Sequence, residues 1–112
     1  MNLVVEEQRI IPTKSFILFQ NQPNPFTKKT TVQFELLEST AVTLTIYDPE
    51  GAVLKEYKGH FEKGRNQIQI NGKDLKQYGT LYYQMTTKHQ ILSKKMSFQP
   101  LKNGDWRLEN GE

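Results

Sequence analysis

The chain contains no cysteine. Disulfide staples, thiolate metal sites and cysteine nucleophiles are therefore excluded. A disulfide-free domain survives in either redox environment, so the compartment stays open. Long apolar runs are missing as well. Nothing approaches the roughly 20 consecutive apolar residues that carry a helix across a bilayer, so no membrane span is expected. The opening "MNLVVEEQRII" is short and carries Glu6, Glu7 and Arg9, and it does not read as a signal peptide. Histidine is scarce. His60 and His89 stand in no metal-ligand spacing, and both are expected in solvated turns. No GxSxG, HExxH or phosphate-cradling glycine loop occurs. Asp48 and Glu50 lack the further oxygen ligands that a calcium cage requires. Glu35 and Glu38 read as surface charges rather than an acid/base pair. No enzyme, metal or cofactor is expected.

What is present is a polar but globular composition. Hydrophobic residues make up 36% and charged residues 24% of 112 positions, which suits one modest core in one domain. The net charge of +3 is unevenly placed. Residues 1–12 and 99–112 each carry a net −1, which leaves +5 on the body between them. The cations are mostly lysines scattered over turns: Lys28, Lys29, Lys58, Lys63, Lys73, Lys76 and Lys88. Nucleic-acid surfaces cluster Arg and Lys among stacking aromatics, and that pattern is absent. The lysines read as a solvated surface that protects sheet edges.

Hydrophobicity repeats with a period of two. "TVQFEL" puts Val32, Phe34 and Leu36 on one face, and "VTLTIY" does so with Val42, Leu44 and Ile46. "QIQI" pairs Ile68 with Ile70. "LYYQMTT" aligns Leu81, Tyr83 and Met85, and "ILSKKMSF" aligns Leu92, Met96 and Phe98 with Lys94 on the same parity. Such alternation marks antiparallel sheets with one dry face and one wet face. "LEST", "YDPEGAV" and "TKHQ" are turns, with Pro49 presetting φ and Gly51 closing its turn. "HFEKGRN" and "NGKDLKQYG" read as longer connections, the second with one helical turn at most. Six or seven strands without a convincing helix predict an all-β sandwich. Tyr47, Tyr57, Tyr82 and Tyr83 are expected to be ordinary sheet surface and core residues rather than an aromatic binding face.

We divide the chain into an arm (1–12), a sandwich (13–98) and a second arm (99–112). Leu3 and Val5 alternate in the first arm, and Trp106, Arg107 and Leu108 stand in the second. Such arms can fold back on their own sandwich, or add a strand to a neighbour's sheet edge. Trp and Arg are also typical of interface hot spots. Polymerisation of copies through the arms, into a filament, tube or sheath, is therefore one expected role.

The stretch "LFQNQPNPF" suggests another. Pro23 and Pro25 each fix φ, push their predecessors into extended conformations and donate no ladder hydrogen bond. Pro23, Asn24, Pro25 and Phe26 therefore read as a rigid, non-pairing elbow, with Phe26 plugging the edge of the core. Taken in order with "VTLTIYDPEGAVLKEY", "GRNQIQING", "GTLYYQMTT" and "SKKMSF", this stretch resembles the C-terminal sorting domain of the type IX secretion system, found on secreted cargo of Bacteroidetes. The matching positions are Pro23, Asn24 and Pro25; Asp48 and Gly51; Gly79 with Tyr82; and Lys94 and Lys95. The resemblance covers about residues 16–98. It implies an Ig-like sandwich of about seven antiparallel strands, recognised by secretion machinery and without a catalytic role. The elbow and the last two strands would then face the protein partner. A cargo sorting domain would be extracellular or at the cell surface. A chain that starts at Met1 would be cytoplasmic or part of a released assembly.

Overall fold

The computed structural model describes residues 16–101. Seven strands and one short 3-10 turn follow in order. The strands are β1 (Phe16–Leu18), β2 (Lys29–Leu36), β3 (Thr40–Tyr47), β4 (Val53–Phe61), β5 (Gly64–Asn71), β6 (Gly79–Thr86) and β7 (Ile91–Phe98); the turn is Gly72–Asp74. They form two sheets, β1-β2-β5 and β4-β3-β6-β7, in which every strand pair is antiparallel. This is an Ig-like sandwich in which the fourth strand joins the sheet of β3, β6 and β7, rather than the sheet of the first, second and fifth strands as in constant-type domains.

The alternation in the sequence becomes the core. Val32, Phe34 and Leu36 of β2 and Ile70 of β5 face Val42, Leu44 and Ile46 of β3, Leu81, Tyr83 and Met85 of β6, and Met96 and Phe98 of β7. Each fully buried side chain of this size contributes about 1.5–3 kcal/mol through surface removed from water. Ile68 is only partly buried against this core, because β5 is an edge strand.

The turns follow their local chemistry. Asp48 Oδ1 accepts from the N–H of Glu50 (3.0 Å) and of Ala52 (2.8 Å), and Gly51 N–H donates to Asp48 O (3.0 Å). Gly51 lies at φ +92°, a left-handed conformation that side chains rarely adopt. Both acceptor roles of this carboxylate oxygen serve the turn itself, and a register shift at Ile46/Tyr47 follows in the ladder.

Two expectations need correction. "HFEKGRN" is not a longer connection: β4 runs to Phe61 and β5 starts at Gly64, so only Glu62 and Lys63 cross between the sheets. His60 stands on β4 opposite Ala41 rather than in a turn. His89 does lie in the β6–β7 turn, with its Nε2 3.3 Å from Glu38 Oε2.

Candidate functional site

The elbow starts where β1 departs from β2. Leu18 still pairs with Phe34, and Phe19 N–H donates to Gln33 O (3.0 Å). Pairing resumes at Gln22 and Thr31, which exchange two backbone bonds of 2.9 Å. Between these points the chain carries an extra residue, and the Asn21 side chain turns inward.

Tyr83, on the opposite sheet, fills that gap. Its hydroxyl donates to Phe19 O (2.7 Å) and accepts from Asn21 N–H (2.9 Å). Asn21 Nδ2 donates to Pro23 O (3.2 Å) and to Thr30 Oγ1 (3.0 Å), and Thr30 Oγ1 donates onward to Pro23 O (2.8 Å). Asn21, Thr30 and Tyr83 are at most 1% exposed, so these bonds replace the water that the groups lose. Burial pushes the Tyr83 phenol up to about 12, and the Asn21 N–H offsets part of that rise.

Beyond this network the chain crosses to the other sheet. The Gln22–Pro23 and Asn24–Pro25 peptide bonds are both cis. Asn24 Oδ1 accepts from Ser97 N–H (2.9 Å), Phe26 N–H donates to Ser97 O (3.0 Å), and Gln99 N–H donates to Phe26 O (2.8 Å). Gln20 Nε2 adds a bond to Lys95 O (2.7 Å). Phe26 and Phe98 thereby form a parallel bridge. The expected non-pairing elbow thus does pair. Its prolines donate nothing, but Asn24 and Phe26 supply the acceptor and donor that the end of β7 requires. The segment moves a strand from one sheet to the other, a common way to close a sandwich corner.

Phe26 is fully buried, and its ring stacks on Phe98 at 4.6 Å with 10° between the planes. The Phe98 ring also lies against Gly72, so closely that a Cβ there would overlap it. Gly72 N–H donates to Lys28 O (2.7 Å), which ties the 3-10 turn to the start of β2.

Of the predicted partner-binding residues, the structure brings together Pro23, Asn24, Pro25 and Phe26 with the strand that carries Lys94 and Lys95. Pro23, Asn24, Pro25 and Lys95 are exposed, while Lys94 is half-buried on the inward parity of β7. An inward-turned lysine on an edge strand disfavours indiscriminate strand addition. Leu3, Val5, Trp106, Arg107 and Leu108 lie outside the described residues. Sequence reasoning missed Gln20, Asn21, Thr30, Gly72 and Ser97, whose roles depend on partners far along the chain. The hint that was available is "QNQPNP", where amide side chains interleave with prolines that leave backbone groups to be satisfied.

The tyrosines separate as ordinary core and surface residues. Tyr83 is in the core, and Tyr47 and Tyr82 are paired on the outer face of the larger sheet. Tyr57 packs against the core from β4, and desolvation, with a smaller contribution from Asp74, raises its phenol to about 12. Among the described residues, no group of three or more His, Cys, Asp or Glu side chains could hold a metal ion, and no helix is long and apolar enough to cross a membrane.

No curated protein matches this chain. Among solved structures, a β-glucosidase from Erythrobacter marinus aligns with a TM-score of 0.48 and 13% identity. The alignment covers 77% of this chain but only 16% of that one, a likeness that carries no argument about activity. Residues 22–99 match the family model described as the secretion system C-terminal sorting domain, a span from the start of the elbow to the residue after β7. With most of its length inside that match, the chain belongs to the C-terminal sorting domain family of the type IX secretion system.

Proposed function

We propose that this chain is a non-catalytic docking module, recognised by protein components of the secretion machinery along the edge where the elbow meets β7. The observation that supports this reading is the joining of Asn24 and Phe26 to Ser97 and Gln99. It sets the exposed Pro23-Asn24-Pro25 surface beside the lysines of the closing strand, on one continuous edge. A partner reading that edge meets a rigid proline surface and the exposed Lys95, with half-buried Lys94 on the inward side, and it meets them only when the sandwich is folded.

The test is export of a reporter. The chain is fused behind a signal peptide and a reporter enzyme, in a host with type IX machinery, and reporter activity is measured in the medium. Export by the parent fusion and its loss in Lys94→Ala/Lys95→Ala, with thermal unfolding unchanged, would support the reading. Undiminished export by the double variant would remove this edge from recognition. Failure of the parent fusion to leave the cell would sink the docking role itself.

A further inference from the structure

Among the described residues, the edge of the sandwich opposite the elbow is also open. It is formed by β4, the longest strand, whose nine residues Val53–Phe61 contain no proline and end the order of the larger sheet. Glu56 and Lys58 stand on its outer face, opposite Thr45 and Thr43 of β3. Their side chains are 45% and 70% exposed, and they lie 3.7 Å apart. Lys55 turns inward, with its ammonium 5.7 Å from the centre of the Tyr57 ring. Gly59 is inward as well, and a Cβ there would approach the Phe61 ring to 3.1 Å.

We propose that a second copy of this chain pairs antiparallel along this edge, with Tyr57 of each copy opposite Tyr57 of the other. The sequence of β4 is self-complementary in that register. Glu56 of each copy faces Lys58 of the second copy, giving two cross-strand opposite-charge pairs. Lys55 falls opposite Gly59, so the inward cation that would otherwise guard the edge meets a position without a side chain. Moving the symmetry axis by one residue to Glu56 sets the two Glu56 carboxylates against each other, and moving it to Lys58 sets the two ammoniums against each other. Charge thus selects one register and one occupant, and the two four-stranded sheets become one continuous eight-stranded sheet. The elbow edge stays clear on both copies, so this contact is independent of docking at the elbow.

The experiment is sedimentation velocity of the full chain over a wide concentration range, with far-UV circular dichroism as the folding control. The parent should show a concentration-dependent dimer. Lys58→Glu and Glu56→Lys should each weaken it by roughly tenfold, because each replaces two attractions by two repulsions. The swap Glu56→Lys/Lys58→Glu should restore it. Mixing the two single variants should produce a dimer where neither forms one alone. A parent that stays monomeric at every concentration would overturn the proposal. So would association that the single variants leave unchanged, or a swap that fails to restore it. All four positions of charge are on the solvent face, so the variants keep the core intact.

Discussion

Gly72 offers a demanding test of the packing at the elbow. Its φ lies outside the left-handed region, so alanine introduces no backbone strain there. On propensity alone, Gly72→Ala should stabilise the fold by about 0.4–1 kcal/mol, because the unfolded chain loses freedom. The structure predicts the opposite sign. The new Cβ would overlap three atoms of the Phe98 ring. The ring has little room to step aside, because it is fully buried and stacked on Phe26 at 4.6 Å. Overpacking of this kind costs about 1–3 kcal/mol, and a fully buried ring already stacked on another belongs at the upper end. The measurement is urea unfolding followed by far-UV circular dichroism, read as a change in midpoint at constant slope. A double-mutant cycle isolates the cause. Phe98→Ala alone should cost about 3–5 kcal/mol. In the Phe98→Ala background, Gly72→Ala should cost nothing, which leaves a coupling of about 3 kcal/mol. A neutral or stabilising Gly72→Ala, or two costs that simply add, would refute the account of this stack.

Tyr83→Phe should destabilise by about 2–4 kcal/mol in the same assay, since it leaves Phe19 O and Asn21 N–H buried with one partner fewer each; a cost below that of an ordinary surface change would mean water takes the hydroxyl's place. Stability should also fall in strong base. Tyr57 and Tyr83 hold their protons to about 12 in the folded state against 10 when unfolded, so their contribution is intact below pH 10, falls between 10 and about 12, and is gone above that. The shift at Tyr83 corresponds to about 3 kcal/mol at most; Tyr83→Phe should flatten its share of the slope, and an unchanged slope would argue against it. Asn24→Ala should cost only about 1 kcal/mol, because its side chain is exposed, but should speed hydrogen exchange at Ser97 N–H more than at the amides of β6. Equal effects on both strands would mean that the elbow does not tie down β7 locally.

The strands β2, β3, β6 and β7 were legible because each presents one dry face and one wet face, which stamps the period of two on the sequence. β1 and β4 left fainter marks. β1 has three paired residues before its ladder is interrupted at Gln20–Asn21. β4 borders the sheet, and its inward positions include Lys55 and Gly59, which dilute the apolar alternation that would have announced it. The Glu62–Lys63 crossing looked long because the ends of β4 and β5 carry turn-like residues, although both still pair. The elbow was visible as proline chemistry, and Phe26 as its plug, but its attachment was not. Asn24 meets Ser97 across 73 positions, and Tyr83 meets Phe19 across 64. No local pattern carries a contact of that range. Tyr83 itself was legible as a core residue from its parity with Leu81 and Met85, whereas the use of its hydroxyl depends on the other sheet.

The joining of Phe26 to Ser97 and Gln99 also has a consequence in time. A ribosome delivers the elbow early and the end of β7 some seventy residues later. Until then Phe26 has no ring to stack on, and the larger sheet lacks one of its two edges. Local pieces such as the β3–β4 hairpin can form meanwhile, but the corner that joins the two sheets closes only with its last residues. The sandwich acquires the rigid edge described above only once β7 is free to lie down beside the elbow.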